Sequence, residues 1–270
     1  MMSWLIKQFE HNTSQFDKSM ETYNPGSQRY LRDPRLFLSR IKDECNYLDA
    51  VQQVNWSNYL KDKCTVLDLA GGTGWLSAYL STYDTISQIY LLDSSKFFLQ
   101  NMMPGIVQLM SGNAKKITPI EGLFAPLYFE DKSLDVVVVS SSLHHVDNME
   151  TLLKEIKRVL KDDGFFLILN ETPYTSLRYV AAITKQFVRI MLNTLLCRYT
   201  AISPSISSSG YLYDPYLQDK AYPIWYWVKS LENVDFKIVS LINTGLFTQK
   251  SDKKGLPLAH IICIKNNSPL

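Results

Sequence analysis

The sequence predicts an α/β fold with a doubly wound, mostly parallel sheet of seven strands, an antiparallel last strand and a helical cap. Short apolar runs alternate with helical patterns between residues 65 and 169. The run at 134–139 is apolar on both faces, which is typical of a strand in the middle of a parallel sheet. Another run, 66–69, passes through the glycine-rich stretch 71–74 into a helical pattern, so a strand, a turn and a helix follow one another.

Each further element follows from periodicity and from the residues that end it. Pro104-Gly105 is expected to end a helix that begins after Asp93, so the apolar run that follows is interpreted as the third strand. The connection after it contains Pro119 and is expected to be irregular. The predicted strands are about 65–69, 88–93, 106–110, 134–139, 165–169, 236–241 and 260–265. The predicted helices are about 74–83, 96–103, 149–160, 176–198 and 221–233.

Four segments are expected along the chain. Residues 1–62 look helical and form an N-terminal cap, or alternatively cover one edge of the sheet. Residues 63–170 form the ligand-binding core. Residues 171–222 combine one apolar helix with a long loop rich in serine and tyrosine, which predicts a lid insertion. Residues 223–270 supply a helix and a strand pair that complete the sheet.

Composition excludes several classes of function. A net charge of +2 gives no reason to expect a nucleic-acid partner. Basic residues interrupt the apolar run 180–202, so it is not expected to span a membrane, and we expect no membrane partner. The chain starts without an apolar leader, and no Cys-x-x-Cys pair occurs among Cys45, Cys64, Cys197 and Cys263. A cytoplasmic location with reduced thiols is therefore expected.

The glycine turn predicts a ligand site at the carboxyl end of the first strand. Glycine lets the backbone turn sharply and leaves room for a ligand, and the next helix directs free N–H groups into the same space. A dinucleotide site requires a third glycine three residues after Gly74, where Ser77 stands. Asp68 lies among apolar neighbours just before the turn. Asp93 ends the second apolar run, where a carboxylate can accept hydrogen bonds from both hydroxyls of a ribose.

Four segments in order carry a family resemblance. They are Asp-x-Ala-Gly-Gly-Thr-Gly from 68 with the acid at 93, then Gly-Asn-Ala at 112–114, then 134–146, then 158–168. Over roughly residues 60–170 the chain resembles the class I S-adenosylmethionine-dependent methyltransferases, in particular the group called type 11, which acts on small molecules and peptides. The resemblance implies S-adenosylmethionine as cofactor and S-adenosylhomocysteine as product.

The resemblance also implies a set of cofactor-binding residues. Asp68 would engage the ammonium of the cofactor, Asp93 the ribose, Asn113 and Ala114 the adenine, and Ser140 the amino-acid end. The complete set is Asp68, Gly71, Gly72, Gly74, Asp93, Ser94, Asn113, Ala114 and Ser140.

The candidates for catalysis and for acceptor binding lie after the fourth and fifth strands. His144 and His145 could act as a general base, or could simply line the pocket or cap a helix. No metal is expected, because serine stands where metal-dependent O-methyltransferases have aspartate and the two histidines lack further ligands. Arg178 could clamp a carboxylate, and tyrosines could cover the acceptor. These acceptor-side candidates are Tyr23, Tyr30, Glu171, Tyr174, Arg178, Tyr211 and Tyr213.

The predicted function is metal-independent methyl transfer to an oxygen, a hydroxyl or carboxylate, of a small or peptide-like metabolite. Methyl transfer to nitrogen, and a cofactor-binding protein without transferase activity such as a partner subunit or a cyclase, remain as alternatives. A dehydrogenase is the other rival, because Tyr216 and Lys220 match Tyr-x-x-x-Lys, but the glycine turn does not suit a dinucleotide. The oligomeric state is left open.

Overall fold

The computed structural model describes residues 2–3, 28–146, 148–195, 205–206, 212–213, 220–248 and 257–266. Within this part of the chain, one sheet contains eight strands in the order β1-β4-β3-β2-β5-β6-β11-β10. The strands of this sheet are β1 Met2–Ser3, β2 Cys64–Leu69, β3 Ile86–Asp93, β4 Ile117–Glu121, β5 Leu134–Ser140, β6 Leu160–Glu171, β10 Phe236–Phe247 and β11 Pro257–Lys265. Three further strands, β7 Ser205–Ile206, β8 Leu212–Tyr213 and β9 Lys220–Ala221, form a small antiparallel sheet.

The seven longer strands have the predicted architecture. β2 lies at the centre and pairs in parallel with both β3 and β5, while β4 and β6 extend the sheet in parallel on either side. β11 inserts between β6 and β10 and is antiparallel to both. The expected mostly parallel sheet with an antiparallel last strand is therefore confirmed, and the two-residue β1 adds to its β4 edge. The carboxyl ends of the parallel strands β2 to β6 meet at one edge of the sheet.

Helices cover both faces of this sheet, and two groups of buried apolar residues separate them from it. The helix Met149–Val159 has Asn148 as its N-cap, whose side chain accepts a hydrogen bond from the Thr151 N–H at 3.0 Å. The α-helices are α1 Gln28–Leu31, α2 Pro34–Ser39, α3 Tyr47–Val51, α4 Trp75–Leu80, α5 Met103–Leu109, α6 Met149–Val159, α7 Ser176–Leu195 and α8 Ile224–Asn233. Single turns of π-helix span Arg40–Glu44 and Phe98–Met102, and 3₁₀ turns span Trp56–Asn58, Ala114–Lys116 and Leu143–His145.

The prediction that 106–110 is a strand is wrong, because Pro104 and Gly105 do not end the helix. The π turn Phe98–Met102 leads directly into α5, and Pro104 falls in the first turn of α5, where its missing N–H costs no helical hydrogen bond. Gly105 serves packing, since a Cβ there would lie 2.6 Å from Cγ of Pro34 at the start of α2. The third parallel strand is β4, and its Pro119 is tolerated near the edge of the sheet.

The described N-terminal helices pack on the sheet and reach its carboxyl edge. The Asn46 side chain donates to the Phe247 carbonyl at 2.7 Å, and Gln53 donates to the Thr244 carbonyl at 3.2 Å, so these residues are tied to β10. Tyr47 at the start of α3 extends to the end of β5, where its hydroxyl lies 2.8 Å from Ser141 Oγ. The segment therefore both covers the sheet and contributes to the edge at which the strands end.

The segment expected to be a lid contains α7 and the small sheet of β7, β8 and β9. Lys220 in β9 donates through Nζ to the carbonyls of His145 and Val146, at 3.1 and 2.8 Å. The small sheet is therefore attached to the loop that follows β5. Of the helices that the structure describes, none has the length and apolar character needed to cross a membrane.

Candidate active site

The glycine turn after β2 leaves an open space at the carboxyl edge of the sheet. A Cβ at Gly71 would lie 2.3 Å from Leu91 Cδ1 and 2.7 Å from Asp68 Cγ, so only glycine fits there. Gly72 and Gly74 have positive φ values of 56° and 76°. No heavy atom lies within 4 Å of the Cβ position of Gly72. The turn is therefore tightly packed behind Gly71 and open in front of Gly72, as a backbone that binds a ligand requires.

Asp68 is a fully buried carboxyl with one unused oxygen. Its Oδ2 accepts a hydrogen bond from Ser77 Oγ at 2.6 Å, but Oδ1 has no partner among the described residues. Burial raises the pKa of Asp68 to about 7, although the hydrogen bonds from Ser77 lower it. A cation next to Oδ1 would stabilise the ionised carboxylate.

Asp93 at the end of β3 faces the same turn. Its Oδ2 accepts a hydrogen bond from the Gly72 N–H at 2.8 Å, and its Oδ1 accepts one from the Ser95 N–H at 2.8 Å. Ser94 lies between Asp93 and Ser95 in the chain and is half-buried. The carboxylate is thus fixed by two backbone groups beside the open face of the glycine turn.

The residues after β5 connect the glycine turn to β6. Ser142 Oγ lies 3.2 Å from the Ala70 carbonyl, which it can reach as a donor. Glu171 at the end of β6 accepts hydrogen bonds from the N–H groups of Ser142 and Leu143, at 3.1 and 2.9 Å. Its other oxygen, Oε2, lies 2.8 Å from Nδ1 of His144. Glu171 therefore holds both the backbone of the Leu143–His145 turn and the ring of His144.

The pair formed by Glu171 and His144 combines a buried carboxyl with a more accessible imidazole. The Glu171 side chain is 3% exposed and the His144 side chain 19% exposed. The His145 ring lies against that of His144, with the centroids 4.2 Å apart. Because Nδ1 of His144 faces a carboxylate, the carboxylate fixes the tautomer with the proton on Nδ1 and leaves Nε2 as the basic nitrogen.

Asn170 is a buried polar residue beside this pair that the sequence analysis did not single out. Its Nδ2 lies 3.0 Å from Ser140 Oγ, and its Oδ1 has no partner among the described residues. Its N–H donates to Nδ1 of buried His260 at 3.1 Å, and Nε2 of His260 lies 2.9 Å from the Ala50 carbonyl. Burial lowers the pKa of His260, so the neutral ring supports Asn170 from behind. The sequence did contain a signal for Asn170, because it is a polar residue directly before Glu171 at a strand end.

Comparison with known proteins finds a methyltransferase domain within the chain. Residues 67–168 match the family model described as a methyltransferase domain. A demethylmenaquinone methyltransferase from Leptospira interrogans is 30% identical over 133 residues, which cover 46% of this chain and 48% of that protein. The matched stretch thus spans about half the length of that relative. A ubiquinone/menaquinone biosynthesis C-methyltransferase from Campylobacter jejuni is 25% identical over 242 residues, which cover 87% of this chain and 97% of that protein.

A solved structure has the same fold. It is the 1,6-didemethyltoxoflavin-N1-methyltransferase of Burkholderia thailandensis, with bound 1,6-didemethyltoxoflavin and S-adenosylhomocysteine. The TM-score is 0.59 at 14% identity, and the match covers 94% of this chain and 91% of that one. Residues 67–168 of the chain therefore match a methyltransferase domain, and the fold is that of a solved methyltransferase with bound S-adenosylhomocysteine.

The crevice at the carboxyl edge of the sheet fits S-adenosylmethionine. The open face of Gly72 offers room against the backbone, and the unpartnered Oδ1 of Asp68 and the carboxylate of Asp93 offer anionic acceptors for an ammonium and a ribose. Both carboxyl groups lie at the same edge of the sheet, which favours a cationic ligand. S-adenosylmethionine supplies a methyl group on a positively charged sulfur, which is already activated for transfer.

Two of the expected cofactor residues lie elsewhere in the fold. Asn113 and Ala114 precede β4, so they are at the amino edge of the sheet and both are exposed. The Asn113 N–H donates to Ser81 Oγ at the far end of α4 from the glycine turn. The structure does not bring these two residues to the crevice, because their prediction as adenine contacts depended on the misplaced third strand. Glu121, which ends β4 opposite Asp93 and is buried, was missed for the same reason.

Of the residues predicted to bind the acceptor, those that the structure describes lie in different parts of the fold. The Tyr30 ring lies 4.3 Å from Cζ of Arg40, so it contacts its own helical segment. The Tyr174 N–H donates to the Tyr222 carbonyl at 3.1 Å, which fixes the start of the lid segment against the residues before α8. Arg178 is exposed on α7. Tyr213 is described only as part of β8, while Tyr23 and Tyr211 lie outside the described residues.

Nothing in the described residues resembles a metal centre: no group of three or more His, Cys, Asp or Glu side chains is arranged to hold an ion there. Ser140 and Ser141, after the fourth parallel strand, are instead engaged with Asn170 and Tyr47. Lys220 of the Tyr-x-x-x-Lys match donates to backbone carbonyls, and Tyr216 lies outside the described residues.

Proposed function

We propose that this protein transfers a methyl group from S-adenosylmethionine to a small molecule that carries an ionisable hydroxyl group, without a metal. His144, oriented by Glu171, accepts the hydroxyl proton, while Asp68 and Asp93 bind the cofactor. The single observation that carries the acceptor chemistry is the 2.8 Å contact between Glu171 Oε2 and His144 Nδ1 at the carboxyl edge. A hydroxyl nucleophile arrives protonated, and a positioned imidazole is the usual group that removes such a proton near neutral pH.

The contacts of Glu171 support this role for His144. Glu171 also accepts from two consecutive N–H groups of the loop that carries His144, so the loop and the ring are fixed by one side chain. Ser142 of the same loop reaches the backbone of the glycine turn. A base held in this way lies next to the crevice in which the donor binds, and alignment of donor and nucleophile supplies much of the rate.

The oxygen itself is the acceptor atom that we favour. A carbon atom next to an ionised phenol is the second candidate, and a specific observation favours it. The relative that aligns over 97% of its own length is named a C-methyltransferase of quinone biosynthesis. Both reactions begin with loss of the hydroxyl proton, so both use the same pair of residues. A nitrogen acceptor that arrives unprotonated would need no base.

The test uses a panel of phenols, hydroxylated quinone precursors, carboxylic acids and amines, with release of S-adenosylhomocysteine as the readout. Transfer to a phenol is expected, and NMR of the product distinguishes an O-methyl from a C-methyl group. Glu171→Gln should lower kcat roughly 10- to 100-fold, since it removes the charge that orients and strengthens the base. The affinity for S-adenosylhomocysteine should be unchanged.

Glu232→Gln is the matched control, because Glu232 is exposed on α8 and should keep wild-type kcat. A Glu171→Gln enzyme with wild-type kcat and an unaltered pH profile would exclude His144 as the base. Turnover restricted to amines would replace the hydroxyl acceptor with nitrogen. Binding of S-adenosylhomocysteine without turnover of any compound would favour the non-methylating alternative.

A further inference from the structure

Helix α7 presents a wide apolar face to solvent. Leu177, Val180, Phe187, Met191 and Leu195 recur at spacings of three, seven, four and four residues, so they share one side of the helix. Their exposed fractions run from 56% at Met191 to 86% at Leu177. Val188 and Leu192, both at least half exposed, widen this face. A globular chain normally buries such a stripe, so an exposed one marks an interaction surface.

The charges on α7 are all positive and lie in one row. Arg178, Lys185 and Arg189 are seven and four residues apart, which places them on one line along the helix. At 100° per residue, this line runs beside the apolar face. The sequence Ser176–Leu195 contains no aspartate or glutamate. Lys185 and Arg189 are both exposed.

A third side of α7 packs against the rest of the protein. Tyr179 is 5% exposed, and its ring lies 6.0 Å from that of Tyr174. Ile183 lies one turn further along the same side and is half-buried. The helix thus has a buried side, an exposed apolar side and a basic row at one boundary of the apolar side. These are the features of a helix that lies in the interface of a bilayer, with its basic side chains at the level of the headgroups.

We propose that α7 docks this protein onto the surface of a phospholipid membrane that contains anionic lipids. The apolar face enters the boundary between headgroups and acyl chains, and the row with Lys185 and Arg189 binds the lipid phosphates. A second copy of the chain fits this face less well, because an isologous contact would offer the basic row no carboxylate from the same helix. Such a bilayer partner requires no membrane-spanning helix, and it replaces the expectation from the sequence that the protein has no membrane partner.

Docking through α7 has a consequence for the acceptor, and this consequence rests on the proposed function. α7 begins shortly after Glu171, and Tyr174 between them is held against the residues before α8. A membrane on α7 therefore lies close to the acceptor side of the crevice. Acceptors that dissolve in lipid and carry a hydroxyl group would reach His144 without passing through water.

The test of docking is co-flotation of the full-length protein with vesicles, and it needs no methyl transfer. Vesicles of phosphatidylcholine alone are compared with vesicles containing 30% phosphatidylglycerol as a chosen composition, at about 0.1 M salt. Binding should be substantially stronger to the anionic vesicles. The double variant Lys185→Gln/Arg189→Gln should weaken it about 25-fold, since each basic residue near an anionic surface contributes about fivefold.

The second part of the co-flotation test removes the apolar face of α7. Phe187→Ser/Met191→Ser should reduce binding to both kinds of vesicle at least tenfold, because two large apolar side chains no longer enter the lipid. Leu241→Ser and Lys237→Gln are matched controls on β10, where both residues are exposed, and should bind as the wild type does.

Three outcomes would overturn the proposal. The first is absence of binding to anionic vesicles at millimolar lipid, and the second is wild-type binding by both double variants. The third is a dimer in sedimentation velocity that Phe187→Ser/Met191→Ser abolishes, which would assign the face to a second copy. Because flotation is independent of turnover, an inactive enzyme that still floats would refute the proposed function and leave the docking surface standing.

Discussion

Replacement of Asp68 by asparagine should make the cofactor-free protein more stable at neutral pH. Asp68 is fully buried, and burial raises its pKa from the ordinary value of 3.8 to about 7. Above pH 7 the folded protein must keep an ionised carboxylate whose Oδ1 has no partner among the described residues. Asparagine is neutral, can still accept from Ser77, and lacks this cost.

The sign and the size of the effect follow from proton linkage. The folded state binds the proton more tightly than the unfolded state, so the contribution of Asp68 to stability is fully present below pH 4. That contribution is lost as the pH rises through 7. The pKa of Asp68 rises from 3.8, its ordinary value, to about 7 in the folded state. At about 1.4 kcal/mol per pH unit, this difference corresponds to roughly 4 kcal/mol in the free energy of unfolding. About 3 kcal/mol of this loss falls between pH 5 and pH 8.

The assay is urea unfolding of the wild type and Asp68→Asn at several values between pH 5 and pH 8, without cofactor. The difference in the free energy of unfolding should grow in favour of the variant up to about pH 7 and then level off. S-adenosylhomocysteine should stabilise the wild type much more than the variant, because the ammonium group of the ligand neutralises the carboxylate. A difference that does not change with pH would show that Asp68 has an ordinary pKa and refute the reasoning.

Two further predictions concern the same crevice. Asp93→Ala should weaken S-adenosylhomocysteine binding at least tenfold in calorimetry, since hydrogen bonds to a charged group contribute about 1.5–3 kcal/mol. Asp84→Ala, at an exposed position, should bind normally, and unchanged affinity in Asp93→Ala would contradict its ribose role. Gly71→Ala should destabilise the fold by about 1–3 kcal/mol, because its Cβ would overlap Leu91 Cδ1. Gly72→Ala meets no atom within 4 Å and should cost about 1 kcal/mol, from its positive φ alone. Equal losses in thermal or urea unfolding would refute the packing explanation.

The central strands were predictable because burial on both faces leaves a clear pattern. The strand Leu134–Ser140 and the strand before the glycine turn are mostly apolar and buried, and a polar residue at or near the end of each strand marks the ligand edge. Asp68 near the end of β2 and Asp93 at the end of β3 fit the same rule. The edge strand Ile117–Glu121 was missed, because a proline in a strand near the sheet edge looks like a loop when its neighbours are unknown.

The role of Glu171 shows what pattern alone does not reveal. Its position after the last parallel strand indicated a polar residue near the acceptor, and nothing in the local sequence connected it with His144. The hydrogen bond between these residues joins positions 27 apart, which become neighbours because β5 and β6 are adjacent in the sheet. Asn170 and His260, 90 positions apart, meet for the same reason through β6 and β11.

The sequence by itself determined the class of sheet, the glycine turn and the two carboxylates near the carboxyl ends of the first two parallel strands, because each depends on residues close together in the chain. Only the tertiary structure decided that Asp68 is buried with an unpartnered oxygen, that Glu171 holds His144, and that one side of α7 stays in solvent. Those properties depend on which distant elements pack against one another, and hydrophobic periodicity identifies an apolar face without identifying what covers it.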